Sequence, residues 1–223
     1  MKNISYIILF SLVALFSCKK DNYEAPASRL SGRVIFQNQP VGVRSDGVQL
    51  ELWQRGFSLF TKIPVFVAQD GTFSATLFDG DYKLVRLRGN GPWIDNTDSI
   101  SVKVSGNTQV DVPVVPHFNL NNVSFNKSGT TITATFTVQQ VTATSVLERV
   151  NLYLGTTMIV DNTKQDASAE KVAADIVIGQ PGTISVTVPA ALASRNFMYA
   201  RVAIKTSGVG EALFSAPQRI DFK

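Results

Sequence analysis

The sequence predicts an all-β protein built as two consecutive sandwiches. Short runs in which apolar and polar residues alternate with a period of two recur from Leu30 to the C-terminus. Asp-Gly and Gly-Asn pairs stand between these runs, where hairpin turns need a positive φ. No long segment of helical period interrupts them, and many short strands with frequent turns argue for a sandwich.

The first element is not a strand. Lys2 supplies a short positive n-region, and Ile4 to Phe16 is an apolar run of 13 residues broken only by Ser5 and Ser11. Ser17, a small residue, precedes Cys18, the only cysteine of the chain. This is the layout of a secretory signal peptide. Leu15, Ser17 and Cys18 resemble a bacterial lipobox, whose cysteine thiolate attacks a diacylglyceryl donor; Phe16 stands where a smaller residue is commoner. A membrane span needs about 20 apolar residues, and this run is shorter. The expectation is cleavage after residue 17 and a lipid on Cys18 as the attachment to the membrane. Residues 18–28 then read as a flexible tether, polar and charged and interrupted by Pro26. Within it Lys20-Asp21 loosely resembles the charged export signal of surface lipoproteins in Bacteroidota-type bacteria. Outer-membrane attachment facing the cell exterior is the expected location.

Residues 29–117 read as the first sandwich. Val48, Leu50 and Leu52 share one face, with Gln49, Glu51 and Trp53 on the other; Phe73, Ala75 and Leu77 alternate likewise, as do Ile100, Val102 and Val104, then Val110, Val112 and Val114. Turns are expected at Asp46-Gly47, Asp70-Gly71, Asp79-Gly80 and Gly106-Asn107. Val112 to Phe118 carries two prolines, which suit a sheet edge or a stiff connector, and the domain boundary is placed there.

Residues 118–223 read as the second sandwich. Ile132, Ala134, Phe136 and Val138 share a face; so do Val150, Leu152 and Leu154, then Ile184, Val186 and Val188, then Met198, Ala200, Val202 and Ile204. The polar stretch Asn162 to Lys171 reads as a loop, Pro189 to Ser194 as one helical turn, and Ala216 to Phe222 as an edge strand.

Three resemblances follow. Ser31-Gly32-Arg33-Val34, Asp70-Gly71-Thr72-Phe73 and Gly80-Asp81-Tyr82-Lys83-Leu84 resemble, in this order, the motifs of a carboxypeptidase-regulatory-like domain, which implies a transthyretin-like sandwich. Arg201-Val202-Ala203-Ile204 resembles the penultimate strand of an immunoglobulin or fibronectin type III sandwich. Met198 stands where that family buries a tyrosine, with Tyr199 one place off and on the opposite face. The whole chain, with Pro40 to Arg44 before the second strand, resembles a two-domain lipoprotein family of unknown function from gut Bacteroidota. Such families often accompany outer-membrane glycan uptake systems, so the resemblance implies a glycan-binding or glycan-presenting accessory of an uptake complex.

The chemistry is sparse. The net charge of +4 is evenly spread, with no basic stripe, so nucleic-acid binding has no support. His117 is the only histidine, and nothing in the sequence places a nucleophile and an acid around it, so no enzyme is expected. No cofactor or metal site is expected either. Asp95-Asn96-Thr97-Asp98-Ser99 is rich in oxygen ligands for calcium but lacks the EF-hand spacing.

Aromatic rings are the remaining lead, because sugar C–H faces stack on them. Trp93 lies in a glycine-rich loop with Asn90, Asp95 and Asn96 as candidate hydroxyl partners. Trp53 is the second candidate, on the strand face opposite Leu50 and Leu52. The competing reading makes Trp93 a plug at the sandwich end and Trp53 the cover of an edge or interdomain contact. A polysaccharide ligand is the first functional reading. A structural or adhesive module contacting protein through sheet edges is the second, and a glycosidase the third.

Overall fold

The computed structural model describes residues 24–56 and 59–222. The signal sequence, the Lys20-Asp21 pair and the lipid-attachment residue Cys18 lie outside the described residues.

The chain is all-β, and each half is a pair of sheets. In the first half the strands are β1 (Ser28–Phe36), β2 (Gln39–Pro40), β3 (Gln49–Gln54), β4 (Lys62–Phe66), β5 (Thr72–Leu77), β6 (Gly80–Arg86), β7 (Ile100–Val104), β8 (Asn107–Gln109) and β9 (Val112–Pro113). One sheet is centred on β1, antiparallel to β2 and β5 and parallel to β8 and β9. The other is antiparallel, in the order β4-β3-β6-β7. The second half contains β10 (Phe118–Ser128), β11 (Thr131–Gln140), β12 (Leu147–Gly155), β13 (Ala167–Val172), β14 (Pro181–Thr187), β15 (Phe197–Thr206), β16 (Leu213–Phe214) and β17 (Gln218–Asp221). Its sheets run β10-β11-β14 and β13-β12-β15, with β16 and β17 both on β15.

The alternating residues close the core. Val48, Leu50, Leu52, Leu84, Ile132, Ala134, Val138, Val150, Leu152, Leu154, Met198, Ala200 and Val202 are all buried. One connected apolar cluster runs through both halves. The turns have their expected chemistry. Asp46, Gly71, Gly80 and Gly106 hold positive φ, and Asp70 Oδ1 accepts hydrogen bonds from the backbone N–H and hydroxyl of Thr72. Pro64 and Pro113 lie in strands paired on one side only, where a missing N–H is tolerated.

Gly32 is the tightest approach in the first sandwich. A Cβ there would lie 1.7 Å from the carbonyl oxygen of Val110, which crosses β1 between β8 and β9. Gly32→Ala therefore forces backbone apart, and we expect it to lower stability by about 2 kcal/mol. A urea unfolding midpoint equal to wild type would contradict this.

The segment Asn162 to Lys171, read as a loop, is corrected in its second part. Ala167–Val172 is a strand paired to β12, with Ala167 and Ala169 packed against the core. Small residues carry little β signal, and the pairing partner supplies what local preference lacks. The expected helical turn is a 3₁₀ turn at Ala190–Leu192, capped by Pro189 rather than starting with it.

The two sandwiches meet through Val41–Arg44 and Gln69 of the first and the outer face of β15 and β16 in the second. Gly42 and Phe214 form a β-bridge, with the Phe214 N–H donating to Gly42 O at 2.9 Å. Arg44 makes a bidentate pair with Glu211 at 3.1 and 2.6 Å. Arg201, wholly buried, donates to the carbonyls of Val43 and Gln69 across the junction and to those of Val160 and Ser215 on its own side. Its guanidinium lies 4.6 Å from the Phe214 ring centroid. The outer face of the β12-β15-β16 sheet thus carries a second buried cluster, with Tyr153, Val160, Ala203 and Phe214 packed together.

His117 sits in the connector. Its ring Nδ1 is 2.8 Å from Ser145 Oγ, and its carbonyl accepts from the N–H groups of Val141 and Thr142. Burial holds the imidazole below its ordinary pKa, against the opposing pull of the Trp93 backbone and the Asp95 charge. The folded state therefore binds fewer protons than the unfolded chain as pH falls through the ordinary histidine range, so this group's contribution to stability declines with acidification. Urea midpoints measured from about pH 8 down to about pH 5 should fall less steeply for His117→Gln than for wild type. Identical slopes would contradict the assignment.

Candidate functional site

The four-stranded sheet β4-β3-β6-β7 turns one face to the core and leaves the other open. Strand alternation and register together build this open face. In one row across the sheet Trp53 stands opposite Lys62 on β4 and Lys83 on β6, and Lys83 stands opposite Ser101 on β7. In the next row Asp81 faces Lys103. Directly opposed residues bring their Cβ atoms to about 5 Å, so these side chains form a continuous surface.

Glu51 fixes the centre of that surface. Nearly buried, it accepts a hydrogen bond from the Trp53 indole N–H at 3.2 Å and one from Lys62 Nζ at 2.6 Å. The carboxylate orients the indole and neutralises Lys62. Phe60, 55 % exposed, packs beside Trp53 with ring centroids 5.1 Å apart and planes tilted by 40°. The Arg55 guanidinium carbon lies 5.8 Å from the Phe60 centroid. The result is an aromatic shelf on the floor of an open groove of about 1090 Å³ that reaches across β6 to Lys83, Ser101 and Lys103. Tyr82 is buried beneath it, and its hydroxyl donates to the Phe78 carbonyl at 2.9 Å.

The Trp93 loop is a different case, and the structure corrects its candidacy. Trp93 is 4 % exposed. It plugs the end of the first sandwich and forms a β-bridge with Pro116, while Ile94 N–H donates to Val115 O. Gly91 is required beneath it, since a Cβ would lie 2.2 Å from the indole. A ring enclosed in this way has no face for a sugar. Its polar neighbours are engaged with backbone. Asn90 accepts from Gln49 N–H at 2.5 Å and donates to Gly47 O, Asp95 accepts from Gly89 N–H, and Asn96 accepts from Asp98 N–H. Asn90 is thus a turn brace. Asp95 and Asn96 remain exposed beside a small cavity of about 340 Å³ with Ile94 and Val115, and Trp53 is not part of it.

His117 and Ser145 approach each other at the domain joint, a pairing the sequence did not reveal. Among the described residues no carboxylate hydrogen-bonds the ring, so the third member of a nucleophilic arrangement is missing. Nor do three or more His, Cys, Asp or Glu side chains among the described residues gather in a way that would hold a metal ion.

The described residues missed by sequence reasoning are Phe60, Lys83 and Lys103. The signal for the two lysines lay in the alternation of Lys83 with Leu84 and of Lys103 with Val104, which turns both outward; only the strand register places them beside Trp53.

Comparison with known proteins agrees with the two-part architecture. A family model described as the N-terminal domain of a protein of unknown function (DUF3823) matches residues 28–115, and a second, DUF3823_C, a domain of unknown function, matches residues 118–219. A solved DUF3823 family protein from Bacteroides ovatus ATCC 8483 is 39 % identical, with a TM-score of 0.83, over 89 % of this chain and 100 % of that one. One from Parabacteroides merdae ATCC 43184 is 33 % identical, with a TM-score of 0.82 and the same coverage. A Bacteroides uniformis ATCC 8492 protein, described provisionally as a carbohydrate binding protein, is 20 % identical with a TM-score of 0.72, over 88 % of this chain and 100 % of that one. At that identity the likeness speaks for the fold alone. No curated protein matches the chain.

Proposed function

The chain belongs to the two-domain DUF3823 family, and from that premise we propose that it is a non-catalytic glycan-binding lipoprotein whose ligand lies on the Trp53 shelf. The carrying observation is the Trp53–Phe60 pair, oriented by Glu51 and open to a groove with hydroxyl and ammonium donors on the neighbouring strands. A pyranose presents an apolar face to such a shelf and hydroxyls to such donors. The similarly folded protein from Bacteroides uniformis lends support by its provisional description as a carbohydrate binding protein. Cys18 carries the lipid, the segment between it and β1 gives it reach, and the sandwiches present the groove to polysaccharide outside the outer membrane as an accessory of an uptake complex.

Affinity electrophoresis of the soluble protein through gels containing a panel of polysaccharides tests the binding. Retardation by at least one glycan is expected. Migration unchanged on every glycan of the panel would defeat the reading. Metabolic labelling with a fatty-acid probe tests the anchor, and the label should disappear in Cys18→Ala.

A further inference from the structure

We propose that the groove selects an acidic polysaccharide, one bearing carboxylates or sulfates on its sugar rings. This rests on the glycan reading above and specifies its ligand class. The sheet leaves positive charge uncompensated around the shelf. Glu51 is already committed to Lys62 and the Trp53 indole. Lys83, Lys103 and Arg55 remain along the groove, against the single carboxylate of Asp81. Among the described residues none of these four is in an ion pair, although Asp81 and Lys103 are opposed in register.

Lys83 donates to Ser101 Oγ at 2.6 Å, which draws its ammonium along the groove toward β7, on the far side of β6 from Trp53, and leaves two donors free. A cation one strand across from an aromatic shelf matches a sugar that is apolar on one side and carries an anion at its edge. The cations at the domain joint, by contrast, are consumed internally. Arg44 is held by Glu211, and Arg201 is buried on carbonyls.

Affinity electrophoresis separates this claim from the broader one. The charged probes are polygalacturonate, alginate and chondroitin sulfate, and the neutral probes are methyl-esterified pectin, dextran and galactomannan. Wild type should be retarded more by at least one charged probe than by the neutral ones, and added sodium chloride should reduce the difference. The double variant Lys83→Gln, Lys103→Gln should bind that probe roughly 2- to 30-fold more weakly, the range that two exposed ion pairs span. The double variant Lys127→Gln, Lys164→Gln removes the same charge from the second sandwich and should bind like wild type. Equal loss in both double variants would reduce the effect to net charge and overturn the proposal. Retardation confined to neutral probes and abolished by Trp53→Ala would overturn the acidic preference while leaving the glycan reading intact. Retardation by no charged probe overturns the proposal outright, and the neutral arm then decides the broader reading separately.

Discussion

Replacing Arg201 with alanine should lower the stability of the protein by about 4 kcal/mol. The side chain is wholly buried and donates to four carbonyls: Ser215 at 2.8 Å, Val160 at 3.1 Å, Val43 at 3.3 Å and Gln69 at 3.0 Å. Removing the guanidinium takes a donor from each of these carbonyls in a site that water reaches poorly, although Gln69 O keeps the Val43 N–H, and it opens a void beneath Phe214. Arg201→Met fills much of the volume but satisfies none of the acceptors, so it should be nearly as damaging. Arg201→Lys places one compact ammonium where a planar fork spans two domains, and should recover only part of the loss. In a chain of this size the alanine variant corresponds to a fall in Tm of roughly 8–16 °C.

Burial also draws the Arg201 guanidinium down to about 10, with the charges of Asp161 and Asp70 opposing. Between that value and the ordinary arginine range the unfolded chain binds more protons than the folded one. This group's contribution to stability therefore rises with pH across that window, and it is least favourable below it. Because Val43 and Gln69 belong to the first sandwich, the wild type should unfold in one transition and the alanine variant in two. Scanning calorimetry of wild type and Arg201→Ala checks both points. A single transition shifted by less than about 2 °C would contradict the role assigned to this side chain.

Trp53→Ala should weaken glycan binding by about 30-fold or more, because a central aromatic anchor is commonly worth at least ~2 kcal/mol. Trp53 is half-buried rather than central to the core, so the variant should stay folded, with an unchanged far-ultraviolet circular dichroism spectrum. Trp53→Phe should retain part of the affinity, since a smaller ring remains although the indole N–H to Glu51 is lost. Trp93→Ala should instead unfold or destabilise the first sandwich, because it removes a buried plug. Isothermal titration with the retarding polysaccharide distinguishes these variants. Wild-type affinity in Trp53→Ala would remove the shelf from consideration.

The strands were legible because their evidence is local. Val48, Leu50 and Leu52 announce a buried face by spacing alone, and Asp70-Gly71 announces its turn by the φ that Gly71 adopts. Strand β13 was hidden because Ala167, Ser168 and Ala169 have no β signature without β12 beside them. The burial of Trp93 depends on Pro116 and Val115, which reach it from beyond β7, and a glycine-rich neighbourhood does not reveal such a cover. Arg201 is the clearest limit. Alternation puts it on the outer face of β15, correctly, but that face is covered by Val43 and Gln69 from the other domain. Likewise Trp53 was legible as an outward residue, whereas Phe60 and Lys83 become its neighbours only through loop conformation and register.

The two tryptophans make the central claim directly measurable, since each contributes one indole N–H resonance. Titrating ¹⁵N-labelled protein with oligosaccharides cut from the retarding polysaccharide should shift the Trp53 indole signal and leave that of Trp93 in place. Backbone shifts should cluster on Asp81–Val85 and Ser99–Lys103. A titration that moves the Trp93 indole, or that clusters its shifts on the second sandwich while Trp53 stays still, would contradict the account.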